Sequence, residues 1–184
     1  VSWLVGLNIT GQIHQLEGDF VFHLQQLIGP AFTSVFSFFY VYGYVVLLVF
    51  PLVAYLTLQH LDAFHELASA YAINYTVGLV CYVAFIAYGP RNLIPELVTE
   101  PMYVEYPQFR LLTSQINQHT NVFPSLHTSL SATVMLFAWR TKDQLRRWLP
   151  IAWLLGVGVM IATMYLGIHW LIDVVAGIAL GAAS

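Results

Sequence analysis

Long apolar runs broken by short polar punctuation organise this chain. A bilayer-crossing helix needs about 20 mostly apolar residues. Uncharged runs of that order extend from Thr33 to Leu58, from Leu67 to Pro90 and from Leu149 to Ile168. Two more, Val122 to Trp139 and Trp170 to Ser184, are apolar but carry His127 and Asp173. Val1 to Ile9 reads as the tail of a preceding span. The pattern therefore predicts an all-α integral membrane protein, a bundle of five to six transmembrane helices forming a single membrane domain over residues 1–184. Asp19 to Ile28 sets Asp19, His23 and Gln26 on one helical stripe, with Phe20, Leu24, Leu27 and Ile28 largely elsewhere, which predicts a short N-terminal interfacial helix. Arg91 to Asn121 is the long polar connection, where Pro95, Pro101 and Pro107 discourage a continuous helix.

Composition narrows the picture. Of the 184 residues 59% are hydrophobic and only 8% charged, against about 25% charged in soluble domains, so no room is left for a separate soluble unit. A net charge of -3 without a basic stripe excludes a nucleic-acid partner. The lone Cys81 lies inside an apolar run and forms no internal disulfide. Four of the six Lys and Arg residues, Arg140, Lys142, Arg146 and Arg147, fall in one short loop. The positive-inside rule puts that loop in the cytoplasm. Counting spans from it places His127, His169, Asp173 and the Arg91 to Asn121 connection at the outer face of a multi-pass protein of the cell membrane. A long connection beside a site caps it or selects substrate in many proteins, and a plain solvated connector is the alternative.

Two short strings carry chemistry. Pro124-Ser125-Leu126-His127 reads as a helix start, with Pro124 at the first helical position. Unpaired amides at such a start favour an anion. Ser125 adds a hydroxyl donor, and His127 stands where it can protonate a leaving oxygen. His169 and Asp173 are four apart, on one face of a helix. An aspartate in an apolar segment is costly and is functional or paired; here its partner is His169, one ring nitrogen held by the carboxylate and the other left free to attack. A pair that merely neutralises a buried acid is the plainer alternative. Two histidines and an aspartate also suit zinc with an open position, yet a metal site leaves the Pro-Ser helix start unexplained, whereas phosphate chemistry accounts for it. Gly177 and Gly181 form a GxxxG that permits close helix approach. Aromatic-rich Phe32 to Tyr44 reads as lipid-facing or core surface.

These strings resemble known signatures. Asn121-Val-Phe-Pro-Ser-Leu-His127-Thr-Ser is similar to the second motif of the type 2 phosphatidic acid phosphatase superfamily. Tyr165-Leu-Gly-Ile-His169-Trp-Leu-Ile-Asp173-Val-Val-Ala-Gly177 is similar to its third, and the form of both is closest to the inositol phosphorylceramide synthase-like branch. The resemblance implies a helical bundle in which His169 attacks phosphorus, His127 protonates the leaving group and Asp173 orients the nucleophile. It implies a phosphohistidine intermediate, no metal and no other cofactor, and a phospholipid or polyprenyl phosphate substrate among membrane lipids. The chain departs from the family in lacking the first motif, a lysine six residues ahead of Arg-Pro, since its one lysine is Lys142. Where many phosphatases carry an arginine six residues before the third-motif histidine, this chain has Thr163. Phosphate charge then falls to Arg91 first and Arg110 second. A non-catalytic membrane subunit of the same fold and a zinc-dependent membrane hydrolase are the competing functions.

Overall fold

The computed structural model describes residues 6–113 and 121–184. An extended pair of residues, β1 (Leu7–Asn8), precedes two short helices, α1 (Thr10–Glu17) and α2 (Phe20–Ile28). A continuous 28-residue helix, α3 (Pro30–Thr57), follows, then the 24-residue α4 (Leu61–Ala84) and the extended pair β2 (Phe85–Ile86). The connection holds three short helical turns, α5 (Pro90–Leu93), α6 (Pro101–Glu105) and α7 (Gln108–Thr113). The last three helices are α8 (Leu126–Arg140), α9 (Trp148–Tyr165) and α10 (Leu171–Ala183).

Three described helices, α3, α4 and α9, are long and apolar enough to cross a bilayer. The expectation of five to six spans goes beyond this: α8 has 15 residues and α10 has 13, short of the roughly 20 that 30 Å of hydrocarbon requires. The α8 run is longer than its helix because its first residues, from Val122, form the non-helical approach to it, whereas α10 fills nearly all of its own short run. Outward faces match the expected solvent. Val45, Val46, Val49 and Val53 of α3, Val80 of α4 and Leu154 of α9 are all exposed, an apolar belt of the kind that faces lipid.

Helix α8 lies at the centre, packed by α10, α9, α4 and α3. Ten of its 15 residues are buried, four of them Ser or Thr. Small side chains let neighbours approach closely. A Cβ added at Gly177 would lie 2.5 Å from the Ser125 carbonyl oxygen, and one at Gly181 would overlap the Ser129 carbonyl oxygen. The GxxxG of α10 is thus the seat of α8, and it holds the two site-bearing helix starts side by side.

The N-terminal region differs from the sequence reading. Leu7–Asn8 pairs in parallel with Phe85–Ile86, so this part of the expected preceding span is extended and joined to the end of α4; Val1–Val5 lie outside the described residues. The expected interfacial helix is present as α2, with a second helix, α1, ahead of it and Gly18 at positive φ between them. Both dock through an apolar cluster of Ile13, Val21, Ala87, Ile94, Val98, Val122 and Trp170. Gln25, unremarked in the sequence, is the buried polar residue of α2; its amide donates to the carbonyls of Tyr165 and Thr99 at 2.8 and 3.1 Å.

Candidate active site

Helix α8 begins two residues later than Pro124 at the first helical position would require. Pro124 follows a cis peptide bond, Ser125 is the N-cap and Leu126 the first helical residue. Ser125 Oγ accepts from the Thr128 amide at 3.3 Å, and its own amide donates to the Asp173 carbonyl at 3.0 Å. Side-chain capping, more than proline's fixed φ, sets this helix start. His127 follows in the first turn, half-buried. Ser125, expected as a phosphate donor, is fully buried and is engaged as a cap.

His169 lies in the turn between α9 and α10. The turn closes on Thr163, whose carbonyl accepts both the Ile168 and His169 amides at 3.0 and 3.1 Å. Gly167 takes φ +70, a left-handed conformation that suits glycine. Its carbonyl accepts the Arg91 amide at 3.1 Å, and a Cβ at Gly89 would overlap the Ile168 carbonyl. Two glycines thus let the start of α5 press against the His169 turn.

The histidines come together from helix starts more than forty positions apart in sequence. Their ring centroids are 6.1 Å apart with planes inclined at 57°. Asp173 Oδ2 is 3.5 Å from His169 Nδ1, an ion-pair approach rather than the expected hydrogen bond. The carboxylate is drawn instead to its own helix start, where Oδ2 accepts the Trp170 amide at 2.8 Å. A carboxylate in the first helical turn satisfies an otherwise unpartnered amide.

Arg91 is buried, its Nε 3.5 Å from Glu100 Oε1 and its guanidinium 4.8 Å over the Tyr103 ring. Its amide hydrogen bond to Gly167 sets it beside the turn that carries His169. Arg110 lies farther out, mostly exposed, with Nη2 2.6 Å from Glu100 Oε2 and its guanidinium 5.2 Å over the other arginine's Tyr103. Glu100 therefore ties the two candidate cations into one group, with Arg91 on its inner side.

Three further residues belong to this neighbourhood. Tyr40 stacks on His127 at 4.9 Å and Tyr44 lies against it at 4.5 Å. Their helix widens to a π turn at Phe39–Gly43, a device often found at functional sites. The aromatic stretch is thereby divided: Phe38 and Tyr42 face outward, while Tyr40 faces in. Tyrosines four apart were the available sign. Glu17 of α1 accepts the Leu171 and Ile172 amides at the start of α10; partial burial raises its carboxyl pKa above the ordinary range, against the lowering effect of the two amides. Among the described residues no three His, Cys, Asp or Glu side chains gather as a metal cage would need.

Two histidines and a carboxylate thus stand together at adjoining helix starts, beside a buried arginine, in a protein with helices apolar enough to cross a membrane. The chain belongs to the PAP2 superfamily, whose family model matches residues 11–184. Comparison with curated proteins and with solved structures returns no match. Members of this superfamily are membrane-associated, and membership suggests a phosphatase or phosphotransferase acting on lipid phosphates.

Proposed function

We propose that this protein is a metal-independent lipid phosphotransferase or phosphatase working through a phosphohistidine at the extracytoplasmic side of the cell membrane. The observation that carries the reading is the approach of His127 to His169, 6.1 Å between rings, with Asp173 3.5 Å from His169 Nδ1. With Nδ1 turned to the carboxylate and carrying the ring proton, Nε2 of His169 is the nucleophile once it gives up its hydrogen bond to the Val122 backbone. It forms an N–P bond as the P–O bond to the leaving alcohol breaks, and His127 gives its proton to that departing oxygen. The imidazolium charge developing on His169 draws Asp173 closer, so the ion pair tightens when it is needed.

In the second step water or an alcohol attacks phosphorus, His127 takes the proton, and the N–P bond breaks. Arg91 neutralises the phosphoryl oxygens, with the first-turn amides of α8 as further donors. The substrate is a phospholipid or polyprenyl phosphate. The departures from the phosphatase pattern, Thr163 in place of an arginine and no first-motif lysine, favour transfer to an alcohol, as in the inositol phosphorylceramide synthase-like branch.

The test is to incubate purified protein with phosphate-labelled phospholipids, with and without polyol acceptors. Acid-labile, base-stable labelling of the protein and a new phosphodiester are expected. Absence of labelling with every lipid phosphate, together with no head-group release, would sink the reading. Inorganic phosphate or head-group phosphate as sole product at all acceptor concentrations would leave hydrolysis as the activity.

A further inference from the structure

The first amides of a helix have no partner within it. At the start of α10 three of them are met by two carboxylates. Trp170 N donates to Asp173 Oδ2 at 2.8 Å. Leu171 N and Ile172 N donate to Glu17 Oε1 and Oε2 at 2.9 and 3.0 Å. Glu17 comes from α1, 154 residues before Leu171, and caps the one helix that carries Asp173 and follows His169.

The division of amides bears on chemistry. With Leu171 and Ile172 occupied by Glu17, Asp173 has a single backbone donor, and its Oδ2 stays 3.5 Å from His169 Nδ1 while Oδ1 has no hydrogen-bond partner. Without Glu17, two unpartnered amides of the same helical turn compete for the nearest carboxylate, which is Asp173. That competition pulls Asp173 away from His169. The other titratable groups of this corner are His14, whose ring is 5.5 Å from Trp170, and Asp19, 3.7 Å from His14; neither accepts an α10 amide.

We infer that Glu17 is a positioning residue that keeps Asp173 available to His169, an inference that rests on the phosphotransfer reading of that pair. It makes the docking of the N-terminal helices a condition of catalysis, because the cap is supplied by α1.

The experiment compares wild type, Glu17→Gln, Glu17→Ala and, as a control on the same helix, exposed Gln15→Ala, all purified in detergent. Turnover is measured with phosphatidic acid in mixed micelles, and the His169 ring is followed by ¹⁵N NMR, its signal assigned by loss in His169→Ala. Glu17→Ala should lower kcat by about 10- to 100-fold with KM changed less than about twofold, the mark of an interaction made only in the transition state. Glu17→Gln, which fills the same space with one acceptor fewer, should fall between, and both should shift the His169 Nδ1 resonance. Gln15→Ala should match wild type. An unshifted resonance in Glu17→Gln, or an unchanged kcat in Glu17→Ala, overturns the inference. Should wild type turn over no lipid phosphate, the proposed function fails by itself, and the ring resonance alone decides whether Glu17 acts on the His169–Asp173 pair.

Discussion

His127 and His169 meet through two helix starts, and their different surroundings support different roles. His169 is buried beside Asp173 and Arg91, whereas His127 is flanked by the Tyr40 and Tyr44 rings. His169→Ala should abolish both turnover and the acid-labile phosphoenzyme. His127→Ala should slow a substrate with a poor leaving group by about 10²- to 10⁴-fold, the range for general acid catalysis, and one with a good leaving group far less. Equal losses for the two would remove the general-acid role. Arg91→Ala should lower kcat/KM more than tenfold, as loss of a buried charge donor does, and Arg110→Ala less than about fivefold, since it is an exposed ion pair; the reverse order would transfer the clamp to Arg110. The histidines and Asp173 were legible because each lies in a short string whose order reflects a helix start. The competition for Asp173 was not legible, because the Trp170 amide is a backbone donor that no side-chain pattern reveals. Tyr40 and Tyr44 were visible only as part of an aromatic stretch, since the π turn that aims them has no apolar period of its own.

At the scale of elements, α8 and α10 place the site, and glycine sets how closely they pack. A Cβ at Gly177 would stand 2.5 Å from the Ser125 carbonyl and 3.0 Å from Thr128 Cβ, so one of the two helix starts must shift. Gly177→Ala should lower stability by about 1–3 kcal/mol, the usual cost of overpacking, read as a lower unfolding midpoint in detergent, together with reduced turnover. Gly43→Ala is the comparison: its Cβ would meet Phe39 and Leu155 at 3.4 and 3.5 Å, ordinary contact, and should leave both readings close to wild type. Similar losses in the two variants would mean that close approach of α10 to Ser125 is not what matters. The long lipid-facing helices α3, α4 and α9 were readable from hydropathy because bilayer length and lack of charge leave little else. Helix α8 was harder: buried on most sides, it shows no single apolar stripe, and its start is set by the Ser125 cap. The β1 and β2 pairing escaped notice because two residues carry no period, and α1 because its sequence, Thr-Gly-Gln-Ile-His-Gln-Leu-Glu, is weakly apolar.

Across the whole molecule the charged groups divide between the two ends of the helices. At one end Arg140 lies 3.3 Å from Glu66 and Tyr55 hydrogen-bonds Thr141, so the acidic start of α4 and the basic loop after α8 share a face. At the other end are His127, His169, Arg91 and the connection bearing Arg110. On the proposed function a lipid phosphate is presented at the end opposite the basic loop, and the positive-inside rule predicts that the loop bearing Arg140, Lys142, Arg146 and Arg147 is cytoplasmic. In a background with Cys81 replaced by alanine, single cysteines at Gln108 and Lys142, both exposed, report the two ends. A membrane-impermeant maleimide applied to intact cells should label the Gln108→Cys protein at once and the Lys142→Cys protein only after permeabilisation. The opposite pattern would turn the site to the cytoplasm and with it the pool of lipid phosphates the protein can reach. Labelling of both positions in intact cells would contradict a fixed orientation, because one population cannot then place its basic loop on one side.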